Sequence, residues 1–136
     1  MNTDNITPKG ELILKTMAMP ADTNANGDMF GGWTMSQMDI AGAILAKEYT
    51  RGRTVTVAVS SVDFIAPIKV GDIVCCYGHV SKSGRTSITI ELDVWVKPIL
   101  RNTEKEQPSI QVTSAQFTYV AVDNDGNKRV IPTYKG

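Results

Sequence analysis

Apolar residues along this chain follow two rhythms. The clearest is a period of two. Ile88, Ile90, Leu92, Val94 and Val96 oppose Ser87, Thr89, Glu91, Asp93 and Trp95, the pattern of a half-buried strand. Val55, Val57 and Val59 alternate with Thr54, Thr56 and Ala58 and predict a second strand. Ile73 to Val80 predicts a third, behind the punctuation of Pro67 and Gly71-Asp72, and Lys82-Ser83-Gly84-Arg85 reads as a hairpin turn. A polar loop from Pro98 to Pro108 precedes a last strand, Ser109 to Val122. Its apolar phase slips near Ser114, from Ile110 and Val112 to Ala115, Phe117 and Tyr119, which predicts a bulge. Ahead of all these, Glu11 to Ala18 reads as a first strand. The other rhythm is helical: Trp33 to Tyr49 lacks Pro and is dense in Met, Ala, Ile and Leu. Arg51-Gly52-Arg53 stops it with positive charge and glycine.

Strand, helix, then four strands is an α+β order. The helix is apolar on most sides, with Thr34, Ser36, Gln37 and Asp39 as polar exceptions, so it needs covering over much of its circumference. An antiparallel sheet curled around it supplies that cover. A parallel crossover is disfavoured because the later strands have no helices between them. Gly42, with Ala41, Ala43 and Ala46, permits close approach to the helix backbone.

Composition narrows the classes. A chain of 136 residues fits one domain with a real core. Fourteen Lys and Arg balance fourteen Asp and Glu, which argues against capture of a nucleic-acid backbone. No apolar run approaches the length of a membrane span. Met1 to Asn5 has neither a basic nor an apolar segment, so no signal peptide is expected and the cytoplasm is the expected location. Cys75 and Cys76 are strand neighbours pointing to opposite faces, poorly placed to bridge each other, and fit a reducing compartment.

The densest cluster of unusual residues is Pro20 to Gly32, a turn-rich loop leading into the helix. Asp22, Asn24, Asn26 and Gly27 imitate a calcium loop, but Trp33 stands where its bidentate Glu belongs, and calcium is rejected. Gly31-Gly32 at a helix start leaves backbone N–H groups open to a ligand carbonyl, the geometry of an oxyanion site. Taken alone, the glycines are better explained as a tight loop-to-helix turn. Asp39, two turns into the helix among Met38, Ile40 and Ala41, faces solvent, a structural partner, or a cavity where a general base is wanted. His79, the one histidine, has no nucleophile motif near it, and with two adjacent cysteines it makes no metal site. The turn at Lys82 to Ser87 could hold a phosphate through Arg85, or be only a solvated turn.

Leu14 to Pro20, Asp22 to Trp33 and Met35-Ser36-Gln37-Met38-Asp39 closely resemble the YciA-type acyl-CoA thioesterases of the hotdog fold. Val55 to Val59, Phe64-Ile65-Ala66-Pro67, Val70 to Tyr77 and Val94-Trp95-Val96-Lys97 continue the match. The resemblance implies one hotdog domain over residues 1–136, with a core at about 10–132, hydrolysing acyl-CoA without a metal or bound cofactor. It implies that Asp39 is the catalytic carboxylate, as base for water or as nucleophile. It implies further that Asn24 positions water or thioester and that the Gly32 N–H polarises the carbonyl. Thr56, Val57 and Ala58 fall where the pantetheine arm runs, and Arg85, Thr86 and Ser87 where the nucleotide end is held. A homo-oligomer is implied, with a dimer as minimal unit, active sites between protomers, and commonly a trimer of dimers. Ser60-Ser61 departs from the acidic residue that relatives often carry, and the 98–108 loop diverges. The rival reading is a non-catalytic acyl-CoA-binding or sensing module on the same scaffold, against which the presence of Asp39 argues. A dehydratase would be expected to place a His in the site, and His79 is not on the helix.

Overall fold

The computed structural model describes residues 7–98 and 109–132. Strand β1 (Glu11–Met17) leads through a 3₁₀ turn at Pro20–Asp22 into helix α1 (Gly31–Thr50). The strands β2 (Thr54–Phe64), β3 (Ile73–Ser83), β4 (Ser87–Lys97) and β5 (Ile110–Ala121) follow. They form one antiparallel sheet in the order β1-β3-β4-β5-β2, with α1 packed across it. This is the α+β layout that the periodicity predicts, and it fits the hotdog fold that the resemblance implies.

The alternation on β4 holds: Ile88, Ile90, Leu92, Val94 and Val96 are buried against Met38, Ala41, Leu45 and Ala46 of α1. The β5 bulge falls two residues before Ser114. Val94 pairs with Thr113 and Trp95 with Gln111, so Val112 is the extra residue, and both Val112 and Thr113 are buried. Phe117 and Tyr119 then present stacked rings to the core, 6.3 Å between centroids.

Three expectations need correction. The valines of β2 do not share one face. The register slips between Thr56 and Ala58, so Val55 pairs with Val120 while Val59 pairs with buried Phe117. A second slip lies between Ser60 and Asp63, where Ser61 takes a left-handed φ of 52°. Edge strands carry such bulges readily, and β2 is an edge. The helix starts two residues early, which puts Gly31 and Gly32 in its first turn. The sheet also covers only one side of α1: Ile40 and Ile44 remain 47% and 39% exposed, and Val55, Val57 and Val59 are exposed as well.

Beyond Thr50 the helix ends on Arg51 in the left-handed conformation, φ 61°, its N–H donating to Lys47 O at 2.9 Å. Arg129 locks that end, donating to the carbonyls of Thr50, Arg53 and Val122 at 3.0, 3.2 and 2.9 Å. Strand β3 runs through Ser83, so its hairpin turn begins at Gly84, two residues later than the sequence pattern places it, and Gly84 N–H donates to Ser87 O at 2.7 Å. Cys75 and Cys76 are both buried and unbridged. Burial, then the neighbouring Cys75, pushes the Cys76 thiol up to about 12. Most of the 98–108 loop and the Met1–Asn5 segment lie outside the described residues. Among the described residues no helix is long and apolar enough to cross a membrane.

Candidate active site on helix α1

Asp39 sits in the middle of α1, half-buried, against the start of strand β2. Two hydroxyls reach the same carboxylate oxygen. Thr56 Oγ1 donates to Asp39 Oδ1 at 2.8 Å, and Tyr119 Oη lies 2.9 Å from that oxygen and 3.1 Å from the Asp39 backbone carbonyl. Register explains the convergence: Thr56 pairs with Tyr119 across β2 and β5, so the two side chains rise from one face of the sheet. Tyr119 is 1% exposed. Burial first, then the charge of Asp39 and their hydrogen bond, push its phenol far above the ordinary range, and it stays a donor. The helix admits the phenol only because residue 42 is glycine. A Cβ there would collide with Tyr119 Oη and stand 2.9 Å from Cζ.

The second assembly is the loop before α1. Asn24 Oδ1 accepts from the N–H groups of Asn26 at 2.8 Å and Asp28 at 3.1 Å. Both partners are donors, which assigns the oxygen and turns the amide NH₂ end away from the turn. Asn24 N–H donates to Asp28 O at 2.7 Å, and Lys69 pairs with Asp28 at 3.0 Å. At the start of α1, Phe30 is the N-cap and supplies no side-chain bond. Trp33 and Thr34 donate to its carbonyl, while Gly31 and Gly32 N–H are among those no helix carbonyl can reach. A Cβ at Gly31 would press on the Phe64 ring at 3.3 Å, and one at Gly32 would meet nothing within 4 Å. The Gly32 backbone is therefore open to an incoming group. A concavity of about 370 Å³ lies here, lined by Asn24, Gly31, Thr34, Phe64, Pro67 and Thr113 among others.

Within one chain these assemblies do not meet. Gly32 and Asp39 are seven residues apart on one helix, roughly 10 Å along its axis, whereas a base and a carbonyl clamp must each lie about 3 Å from the reacting group. A third region lies beyond the other end of the helix. There a concavity of about 390 Å³ is lined by Glu48, Tyr49, Arg51, Ser83, Gly84 and Ile131 with Pro132. Arg85, Thr86 and Ser87 follow Gly84 in the chain. Their backbone is already used: Arg85 O and Thr86 O accept from Ile131 and Ala121 N–H. Val57 and Ala58 are exposed on β2. His79 faces Glu91 across β3 and β4, away from all of this. Among the described residues no three His, Cys, Asp or Glu side chains gather as a metal site would need.

Sequence reasoning missed Tyr119 and the carboxylate contact of Thr56. Tyr119 shares its phase with core residues, and only the need of a buried hydroxyl for a partner marks it. Gly42, three residues after Asp39, was the other visible sign.

The Thioesterase superfamily model matches residues 26–101. The chain belongs to this superfamily. It is 57% identical over 132 residues to the acyl-CoA thioester hydrolase YciA of Salmonella typhimurium, covering 97% of this chain and 98% of that protein. The crystal structure of a hexameric thioesterase from Yersinia pestis superposes with a TM-score of 0.87 at 55% identity, covering 94% of this chain and 100% of that one. A hexameric broad-specificity acyl-coenzyme A thioesterase, crystallised with one Asp replaced by Ala, superposes at 0.86 with 60% identity, covering 91% and 88%.

Proposed function

We propose that this protein is an acyl-CoA thioesterase, releasing free CoA and a carboxylic acid. The observation that carries the reading is the Asp39 carboxylate, half-exposed at mid-helix and held by two hydroxyls, in a chain of the Thioesterase superfamily. The relatives named for acyl-CoA hydrolysis give the substrate class.

In the proposed reaction water attacks the thioester carbonyl carbon and passes a proton to Asp39. The carbonyl electrons move onto oxygen, where the Gly32 N–H at the positive end of the helix dipole receives the charge. The tetrahedral intermediate collapses, the C–S bond breaks, and the CoA thiolate takes the proton from Asp39. Asn24 presents its NH₂ end to the water or thioester. These groups supply both base and carbonyl clamp, so the mechanism calls on no metal or cofactor. Val57 and Ala58, with the Thr56 backbone, flank the pantetheine arm, and Arg85, Thr86 and Ser87 hold the nucleotide end.

The separation of Gly32 from Asp39 supports a site whose two halves come from different protomers. The unpaired edge of β2 and the exposed Ile40, Ile44, Val55 and Val57 give a second copy an apolar surface to cover. We therefore propose a homo-oligomer with a dimer as its smallest active unit, assembled as a hexamer like the Yersinia pestis and Campylobacter jejuni thioesterases. The chain acts in the cytoplasm as one domain over residues 1–136.

The test is release of CoA thiol from a series of acyl-CoAs, acetyl to palmitoyl, by wild-type protein and by Asp39→Asn. The reading requires hydrolysis by the wild type and loss in the variant. Wild-type protein that binds acyl-CoA without turnover would make it a sensing module instead.

A further inference from the structure

We propose that Tyr119 and Thr56 are positioning residues that fix which oxygen of Asp39 reacts, anchoring Oδ1 and leaving Oδ2 to take the proton of water. This rests on the reading of Asp39 as the catalytic carboxylate.

A carboxylate on a helix has free rotation about its last bond, and its two oxygens exchange places unless something holds one of them. Here two hydroxyls from different strands converge on Oδ1 at 2.8 and 2.9 Å. Among the described residues no hydrogen bond engages Oδ2. The asymmetry divides the carboxylate into an anchored oxygen and a working one. The anchor is built to persist. Tyr119 is in the core, stacked beside Phe117, and its hydroxyl also lies 3.1 Å from the Asp39 carbonyl, tying side chain and helix backbone to one point. The glycine at 42 clears the space that the phenol occupies. Charge reinforces the assignment: burial and the Asp39 carboxylate keep the phenol protonated, so it donates at any working pH. Thr56 serves from the edge strand, where its side chain rises beside Tyr119 because the two residues are cross-strand partners. The register slip that follows Thr56 turns Ala58 to the face of Thr118, so the hydroxyl is presented to the helix at this one step of the strand.

A group that only orients a catalytic base acts on turnover and not on substrate affinity. Tyr119→Phe keeps the ring and removes the anchor's proton. It is expected to lower kcat for acyl-CoA hydrolysis by about 10- to 100-fold while KM stays within about two-fold. Thr56→Val is expected to lower kcat in the same way, and Thr56→Ser, which restores the hydroxyl, to recover most of the loss. In an Asp39→Asn background Tyr119→Phe should cause no further loss, because groups acting as a unit are non-additive. The proposal is overturned if Tyr119→Phe and Thr56→Val leave kcat unchanged, if their effect is confined to KM, or if Tyr119→Phe costs the same factor with and without Asp39. Should Tyr119→Phe fail to fold, the Thr56→Val and Thr56→Ser pair on the exposed edge decides alone. An Asp39→Asn variant with wild-type turnover instead removes the reading of Asp39 itself, a result separable from loss in Asp39→Asn with unchanged kcat in Tyr119→Phe.

Discussion

Helix α1 and the loop that leads into it carry the proposed chemistry, and the two are held in opposite ways. In the loop, Asn24 is fixed by backbone groups two and four residues away. In the middle of the helix, Asp39 is fixed by partners 17 and 80 residues away, on two strands of the sheet. The Asn24 turn closes on its own backbone, braced from outside at Asp28 by Lys69, while the carboxylate is organised by the whole fold. A disturbance of the sheet should therefore reach Asp39 and spare the loop, and a change in the loop should leave the Asp39 anchor intact.

The comparison is broken most directly at the proposed catalytic carboxylate. Asp39→Ala should cut turnover by at least roughly 10²–10⁴-fold, the range for loss of a general base, with an unaltered circular-dichroism spectrum. Turnover near the wild-type level would show that the mid-helix assembly is structural only. Next in size is a paired test of the loop. Asn24→Asp keeps an oxygen for the Asn26 and Asp28 N–H groups and removes the NH₂ donor. Asn24→Ala removes both. Losses of about 10²-fold in kcat/KM are expected in either variant if the donor end contacts the reacting group. Only Asn24→Ala should also lower the melting temperature, since it strips two bonds from the turn. If Asn24→Asp retained full activity, the contribution of Asn24 would be confined to shaping the loop.

Gly42→Ala tests the reach of the fold into the proposed catalytic site. Its methyl would enter the space of the Tyr119 hydroxyl. Overpacking of this kind costs about 1–3 kcal/mol, measurable as a lowered midpoint in urea. Because the displaced group is the Asp39 anchor, kcat should fall as well, linking stability and turnover at a position that touches no substrate. A variant that lost stability but kept kcat would separate Tyr119 from the chemistry.

The same contrast governs what was legible from residues alone. The α+β order, the β4 strand and the helix follow from local periodicity; β4 formed where its pattern lies, and the helix extends two residues ahead of its pattern. Asn24, Gly31-Gly32 and Asp39 stand out because turn chemistry and a charge in an apolar helix are local signals. The edge strand resisted: its valines alternate in sequence, but bulges at Val57 and before Asp63 redistribute them between faces, and a bulge leaves no reliable mark in a single sequence. Tyr119 resisted for another reason. Its partner lies 80 residues away, and nothing in the alternation of β5 separates it from Phe117. The expected cover around α1 was half supplied, because one sheet reaches one face of a helix and leaves Ile40 and Ile44 exposed on the other.

The smallest effect belongs to the loop itself. Gly27 has φ +82°, and nothing lies within 4 Å of where its Cβ would stand. A substitution there meets no steric neighbour, so its cost is the backbone conformation alone. Gly27→Ala should lose roughly 1–2 kcal/mol, and Gly27→Asn less, because asparagine visits the left-handed region more readily. Hydrogen exchange would locate the loss: the Asp28 and Asn24 amides should open faster, while amides of β5 exchange as before. That pattern would sharpen the contrast between a turn closed on its own backbone and a carboxylate held by the sheet. Faster exchange spreading to β5 would break it, because the loop would then be part of the same cooperative unit as Tyr119.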